Sequence, residues 1–475
     1  MKHISISSAV AAACMVMGSG AHALALSGYS PNADTLEFRI SGASAQDIAL
    51  EKALASVCDP GTLNGASQLN QAVYYCSITP NVLNTYSGLT VFTNVATTVN
   101  KLVVYKSSLG GSGNGATPVA TGATNIQFLN LATIAANPSY LGATTLVTSA
   151  ILPSYTMQAV VASATSLVTT TGTPVAGLTD VEPSLLGVSA ANQALLTRTE
   201  GAHLAFGVPV TKTLRDQLQT AQGLVSGSEL PADQPNLSTP QLSAIYNGSI
   251  TDFADIGVPT GPVNLAIRSA GSGTTRATNA YFGLDSPGQC VLNVKVRRTA
   301  TTLDTSGLSC TTDGVVMWGG GTDNVFACLS NHEAGSRRAI GVSSLETSTT
   351  AGTAGASARF IKVDGNLPTL LNVINGRYGL WASVSYNIKA SLTGDQLAAA
   401  LTFRSLLSDR DVIKDVNLTI TQTFASAGDV GYLLAPSATN LPSPLPFTTL
   451  PANLTNAFTK VSGSQNNCLR GLKYN

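Results

Sequence analysis

The chain has 475 residues, of which only 11% are charged, and its 25 Lys and Arg are balanced by 25 Asp and Glu. Soluble domains usually carry about 25% charged residues, so Ala, Thr, Ser, Gly and Asn must fill this surface instead. Without a basic surplus, a nucleic-acid or anionic-membrane surface is excluded, and any anion site must be local. The length exceeds what one hydrophobic core normally serves, so we expect two lobes.

The N-terminus has the parts of a secretory leader. Met1-Lys2-His3 is basic, residues 4–17 are mostly apolar, and small residues near 21–25 offer cleavage sites. We predict a signal peptide over 1–25 and a periplasmic protein, with secretion outside the cell as the alternative. A lipoprotein site at Cys14 is less favoured than soluble release, because the apolar stretch continues past that cysteine. No later apolar run is long enough to span a bilayer.

Six cysteines remain after the leader, and an even number in an exported chain predicts disulfides. Sequence proximity favours the pairs Cys58–Cys76 and Cys290–Cys310, which leaves Cys328 with Cys468. Spacing alone cannot decide among the other connectivities that six cysteines allow.

Strands and helices alternate through the first half. The predicted strands are 36–40, 89–95 and 101–105. A small-residue turn after the first strand leads into a helix at 46–57, and a Gly- and Ser-rich loop at 107–115 follows the third strand. Residues 116–173 are rich in Ala, Thr and Val, show weak periodicity and are treated as an insertion.

The second half continues the alternation. The apolar run 203–210 contains a Gly-x-Pro interruption and is suited to cross between lobes. The predicted helices are 237–248, 275–282, 370–375, 397–408 and 411–416. The predicted strands are 263–267, 338–342 and 359–369. This order indicates an α/β fold with largely parallel sheets, whose ligands lie at the carboxyl ends of strands.

The segment 266–276 has the composition of an oxyanion clamp. It places Arg268 beside Gly271-Ser272-Gly273-Thr274, directly before a predicted helix. The glycines allow the backbone to approach a ligand, and the first helical amides and the helix dipole favour an anion. The plain alternative is a surface turn rich in Gly, Ser and Thr.

Taken in order, five segments resemble the periplasmic phosphate-binding subunits of bacterial ABC importers, which belong to the two-lobed solute-binding superfamily. The segments are 40–44, 177–183, 237–257, 268–274 and 363–380. The resemblance implies an α/β, two-lobed, periplasmic-binding-protein-like fold with a central mixed sheet in each lobe and a hinge. The implied lobes are 26–205 plus 356–475, which contains the insertion, and 206–355.

The resemblance also implies the ligand contacts. The implied phosphate-binding residues are Ser44, Asp180, Arg268, Ser272, Gly273 and Thr274, with Ser112 from the Gly-rich loop. Arg268 would donate to two phosphate oxygens, and Asp180 would accept the proton that hydrogen phosphate carries and sulfate lacks.

The chain departs from the family pattern at two positions. Ala270 stands where the family has an acid, and Ala45 stands where an aromatic residue is common. Loss of the acid is expected to make the site more positive. Selectivity between phosphate, arsenate and other oxyanions therefore stays open.

The motifs favour binding over catalysis. A Gly-x-Ser-x-Gly elbow and a His-Glu-x-x-His motif are missing, and the mature chain has only His203 and His332 for a catalytic triad or a metal. We predict no enzyme activity, metal or cofactor, and a monomer that captures inorganic phosphate for ABC permease membrane subunits. The alternative is a secreted or surface-associated protein with a structural role and a weak or altered oxyanion site.

Overall fold

The computed structural model describes residues 24–68, 70–164, 167–284, 302–304, 310–437, 439–443, 445–460 and 472–473. The predicted signal peptide therefore lies outside the described residues, except for positions 24 and 25. Among the described helices, none has both the length and the apolar composition needed to cross a bilayer.

The first sheet is mixed and has 11 strands. Its centre is β1, Thr35–Gly42, which lies parallel to β6, Lys101–Ser107, and to β11, Ala176–Thr179. Its other strands, numbered along the chain, are β2 Asn64–Gln68, β3 Gln71–Ser77, β8 Leu141–Val147, β9 Tyr155–Val160, β12 Leu196–Gly207, β19 Ser343–Ser344, β22 Trp381–Lys389 and β23 Tyr432–Leu433. Because β1, β6 and β11 are parallel, their carboxyl ends reach the same edge.

The second sheet has six strands and is also mixed. Its β15, Leu265–Arg268, lies parallel to β17, Val316–Gly319, and to β18, Ile340–Gly341. Its other strands are β13 Pro209–Thr211, β16 Thr302–Asp304 and β20 Ala358–Phe360. These sheets confirm the predicted α/β fold with a mixed sheet in each half, and we call the halves lobe I and lobe II.

Smaller elements complete both lobes. The two-stranded pairs are β4 Val82–Leu83 with β5 Thr90–Val91, β7 Ile126–Leu129 with β10 Thr169–Gly172, β14 Asn236–Leu237 with β21 Lys362–Val363, and β24 Phe458–Thr459 with β25 Leu472–Lys473. The helices are α1 Asp47–Val57, α2 Thr117–Thr121, α3 Leu131–Ala136, α4 Ala190–Gln193, α5 Lys212–Ala221, α6 Thr239–Asn247, α7 Gly273–Phe282, α8 Thr322–Ala334, α9 Leu370–Ile374, α10 Gly394–Leu406 and α11 Arg410–Thr419.

The chain passes between the lobes at short extended segments. Val208 separates β12 of lobe I from β13 of lobe II, as the Gly-x-Pro interruption predicted. Val342 separates β18 from β19, and the chain returns to lobe II at β20 and to lobe I at β22. The predicted lobe boundaries at 205/206 and 355/356 stay predictions. The strands show only where the chain leaves one sheet and joins the other.

The insertion covers the outer face of the first sheet. Alternate residues of a strand point to opposite faces, so Val73 and Tyr75 of β3 face away from Tyr74. The two outward residues pack in a second apolar cluster with Phe128 and Ile134 of the insertion. The segment with weak periodicity in the sequence is therefore folded against lobe I.

A buried ion pair holds the loop between β8 and β9 in the middle of the insertion. The Nζ of Lys52 lies 3.0 Å from Oδ2 of Asp415, and both side chains are almost fully buried. The other oxygen, Oδ1 of Asp415, accepts bonds of 2.8 Å from the amides of Ala150 and Ile151. The charges of Lys52 and Asp415 thus compensate each other, as burial of an ion pair requires.

The predicted strand at 89–95 is wrong except for two residues. Only Thr90–Val91 is extended, because Phe92 and Asn94 have positive φ angles of 51° and 69°. A positive φ at these residues turns the chain. Apolar composition alone carried no sign of that turn.

The structure joins Cys58 to Cys76, which confirms the first predicted pair. It joins Cys310 to Cys328, so the predicted pairs Cys290–Cys310 and Cys328–Cys468 are wrong. The Cys310–Cys328 bond ties the segment before β17 to the middle of α8. Cys290 and Cys468 lie outside the described residues.

The Cys58–Cys76 bond closes a loop with a sequence separation of 18. Replacing both cysteines by Ala should lower the free energy of unfolding by about 3 kcal/mol, because the unfolded chain regains loop entropy. Urea unfolding of the oxidised protein measures the change. The wild type under reducing conditions provides the comparison, and unchanged stability of the variant would contradict the expectation.

Candidate functional site

The predicted ligand residues come from strand ends in both lobes. In lobe I, Ser44 follows β1, Ser112 lies in the loop after β6, and Asp180 directly follows β11. In lobe II, Arg268 is the last residue of β15 and Ser272 is the N-cap of α7. Because these strands are parallel within each sheet, their carboxyl ends bring the residues to facing edges.

Three hydrogen bonds join these edges across the cleft. The amide of Gly113 donates to the carbonyl of Gly271 over 2.8 Å. Nη1 of Arg268 lies 3.4 Å from Oγ of Ser44. The hydroxyl of Thr274 lies 3.4 Å from Oδ2 of Asp180. The lobes therefore touch in a closed arrangement, and the structure brings the predicted residues together.

Arg268 lies at the centre of the cleft and is only 3% exposed. Its Nη1 donates to Oγ1 of Thr322 and its Nη2 to the carbonyl of Gly320, both over 3.0 Å. Its Nε is buried and has no hydrogen-bond partner. Burial lowers the pKa of Arg268, yet a guanidinium stays charged in proteins. A buried cation with an unused donor is suited to hold an anion.

The helix α7 supplies further donors to the same place. Its first amides have no acceptor within the helix, and its positive dipole end faces the cleft. The hydroxyl of Ser272, at the N-cap, is fully buried and also has no partner. Arg268 and the start of α7 thus form a cluster of donors, and oxyanion binding by this cluster stays a prediction.

Asp180 is the acceptor of the cluster and is 2% exposed. Its amide donates to Oγ of Ser112 over 3.1 Å, and its Oδ1 has no partner. Burial raises the pKa of the Asp180 carboxyl to about 6, while Arg268, Thr274, Ser112 and Lys106 oppose the rise. The sequence around Asp180, taken by itself, favours a helix cap or turn over a ligand contact, but Asp180 caps no helix, since the next helical turn has Glu182 as its N-cap.

The chain contains charged residues at the cleft that the sequence did not single out. Nζ of Lys106 lies 2.7 Å from Oδ1 of Asp47 and 3.2 Å from the carbonyl of Ala43. Lys106 is buried directly beneath the turn that carries Ser44. Lys106 directly follows the predicted strand 101–105. Its position at a strand end was the sequence signal that could have identified it as a residue of the cleft.

The expectation that Ala270 makes the site more positive stays a prediction. Four carboxyl groups interact electrostatically with Arg268, namely Asp180, Glu346, Asp323 and Asp47. Asp323 is exposed and Asp47 is partly exposed, so water screens them. Asp180 and Glu346 are buried, and they decide the charge of the cleft.

One group in the part of the chain that the structure describes has the spacing of a metal site, namely Cys310, Cys328 and His332. The two cysteines are joined in a disulfide, so their sulfurs are not available as thiolate ligands. Burial lowers the pKa of His332 to about 4, which keeps this histidine neutral. This group packs the lobe II core rather than the cleft.

Gly273 lies where the two lobes are closest. A Cβ added there would lie 2.5 Å from Oγ of Ser112 and 2.7 Å from Cβ of Asp180. Only glycine allows this approach without displacement. The need for glycine at 273 is therefore a consequence of closure rather than of the helix itself.

Replacing Gly273 by Ala should hold the lobes apart, because the methyl group would clash with both Ser112 and Asp180. Small-angle scattering should show a larger radius of gyration for the variant than for the wild type under closing conditions. Gly28→Ala is the matched control, since a Cβ at Gly28 meets nothing within 4 Å. Equal radii for all three proteins would show that the clash is relieved locally.

No family model matches the sequence. No curated protein matches it. Among solved structures, the chain resembles a Clostridium perfringens protein assigned as a phosphate ABC transporter substrate-binding protein with bound phosphate. That match has 14% identity and a TM-score of 0.43, and covers 80% of this chain and 98% of the other.

Two further solved structures show the same likeness. An ABC-type phosphate transport receptor from Vibrio cholerae has 15% identity and a TM-score of 0.29, covering 49% of this chain and 73% of its own. PstS from Borrelia burgdorferi has 12% identity and a TM-score of 0.29, covering 55% and 85%. These proteins belong to the group that the sequence motifs resemble. Because all three TM-scores are below 0.5, the likeness supports no functional assignment, and the function is inferred from the site.

Proposed function

We propose that the protein captures hydrogen phosphate in the cleft between its lobes and presents the closed form to the membrane permease of an ABC importer. The observation that carries this proposal is a set of buried, unpartnered polar atoms on residues that meet at the cleft. They are Nε of Arg268, Oγ of Ser272 and Oδ1 of Asp180. Buried polar atoms are rarely left unpaired, so this cluster is suited to a polar ligand.

The mixture of donors and acceptor fits a partly protonated oxyanion. Arg268, Ser272 and the first amides of α7 donate to oxygens, and Asp180 accepts a hydrogen. Hydrogen phosphate has both kinds of oxygen, whereas sulfate offers only acceptors. Sulfate would therefore place an unprotonated oxygen against the Asp180 carboxylate, and this repulsion provides selectivity.

The energy required is within reach of such a site. Binding at micromolar concentration requires about 8 kcal/mol. Charge-assisted hydrogen bonds contribute about 1.5 to 3 kcal/mol each, so a few of them suffice even after the cost of ordering. The hydrogen bonds between the lobes stabilise the closed form, and this form excludes water from the ligand.

A second candidate is a secreted or surface-associated protein of the same fold that holds no oxyanion. The observation that favours it is the pair of buried carboxyls, Asp180 and Glu346, beside a single unpaired cation. If both were ionised, they would already compensate Arg268. Absence of any phosphate binding by the purified protein would support this candidate.

Titration calorimetry with inorganic phosphate tests the proposal. The wild type should bind, and Arg268→Ala should weaken binding by at least about 100-fold, because two or more charge-assisted bonds are lost. Arg410→Ala is the matched control, since the Arg410 side chain is 55% exposed. Phosphate affinity that is unchanged in Arg268→Ala would overturn the site assignment.

Selectivity should depend on pH through Asp180, whose pKa is raised to about 6. Above pH 6 the ionised carboxylate repels sulfate, and below pH 6 the neutral carboxyl can donate to it. Sulfate affinity of the wild type should therefore rise up to about tenfold per pH unit below 6. Asp180→Asn should bind sulfate at every pH, while the exposed control Asp255→Asn should behave as the wild type. A wild type that binds sulfate and phosphate equally at pH 7.5 would contradict the role of Asp180.

A further inference from the structure

Glu346 is a buried carboxyl at the edge of the same cleft. It lies in the turn directly after β19, where the chain has just returned from lobe II to lobe I. The residue is 8% exposed, and its Oε2 is buried without a hydrogen-bond partner. A buried acceptor without a donor is costly, and it costs most when the group is ionised.

Among the described residues, the titratable and charged groups that interact with Glu346 lie on several separate elements. Arg268 approaches from β15 and Asp180 from the end of β11, and both interact electrostatically with Glu346. Tyr432 of β23 also faces it, but the Tyr432 hydroxyl donates to the carbonyl of Ala45. Burial raises the pKa of Glu346 to about 8, Asp180 adds to the rise, and Ser344 and Arg268 oppose it.

The charges of the buried groups do not allow Glu346 to stay ionised beside a bound anion. Among the residues that the structure describes, Lys106 is already paired with Asp47, and Arg268 is the cation that acts on both Asp180 and Glu346. An ionised Asp180, an ionised Glu346 and an oxyanion would then share one guanidinium. Like charges in a buried site repel strongly, so one negative charge must be removed.

We propose that Glu346 is a specificity-determining residue of the cleft and carries a proton whenever the oxyanion is bound. This inference rests on the proposed function. When an oxyanion enters at a pH where Glu346 is ionised, one O–H bond of a water molecule breaks, its proton forms an O–H bond on the Glu346 carboxylate, and the hydroxide is neutralised by the buffer. The neutral Glu346 then removes the excess charge and offers an O–H donor, while the ionised Asp180 accepts the proton of the ligand.

This assignment gives the two buried carboxyls opposite tasks. Carboxyls of the same type can act as donor and acceptor when their surroundings hold them in different protonation states. Between about pH 6 and pH 8 Asp180 is ionised and Glu346 is neutral. The cleft therefore matches a ligand that has both a proton to donate and bare oxygens to accept.

Calorimetry of phosphate binding, at pH 7 and pH 9 and in two buffers of different ionisation enthalpy, tests the proposal. At pH 9 the wild type should take up about one proton more than Glu346→Gln, and its affinity should fall about tenfold per pH unit above 8 relative to that variant. At pH 7 the two affinities should agree within a few fold. The titration of phosphate itself is common to both proteins and cancels in the comparison.

A spectroscopic measurement on the wild type covers the case in which Glu346→Gln does not fold. The infrared difference spectrum at pH 9 should gain the carbonyl band of a protonated carboxyl when phosphate binds, and isotope labelling of the glutamate carboxyls should shift that band. Equal proton uptake in the wild type and Glu346→Gln, or no such band at pH 9, would overturn the role of Glu346. Absence of phosphate binding at both pH values would instead overturn the proposed function.

Discussion

The placement of one guanidinium between two lobes is the constraint on which the cleft depends. Arg268 leaves water almost completely, so its charge must be met by groups within reach of the end of β15. Lobe II supplies Gly320 and Thr322, and lobe I supplies Ser44 and the carboxyl of Asp180. Each lobe therefore completes only part of the surroundings of Arg268, and the remainder is present only when the lobes are together.

The two sheets make this meeting possible through their strand directions. The central strands of lobe I are parallel, and so are those of lobe II around β15, which directs the loops of both lobes to facing edges. The insertion packs on the outer face of the first sheet through the second apolar cluster. Asp415 also holds it by accepting a hydrogen bond from its main chain. The insertion therefore leaves free the edge of the sheet that forms the cleft.

Much of this arrangement could be predicted from the sequence because it depends on local signals. The Gly-Ser-Gly-Thr turn predicted the start of α7, and the Gly-x-Pro interruption predicted the passage at Val208. Glu346 could not be found in this way, since its burial and its interactions with Asp180 and Arg268 join segments that are distant in the sequence. The Cys310–Cys328 pair was not predicted, for the same reason. Cys290 and Cys328 have similar spacings from Cys310, and only the fold decides between them.

One contact across the cleft involves no side chain at all. The amide of Gly113 and the carbonyl of Gly271 belong to the main chain, and both stand at glycines. Point substitutions elsewhere in the cleft can exchange donors, acceptors and charges while this peptide link between lobes persists. The fold thus assigns lobe closure and ligand selectivity to different atoms. Ligand preference can therefore change during evolution without loss of the movement that encloses the ligand.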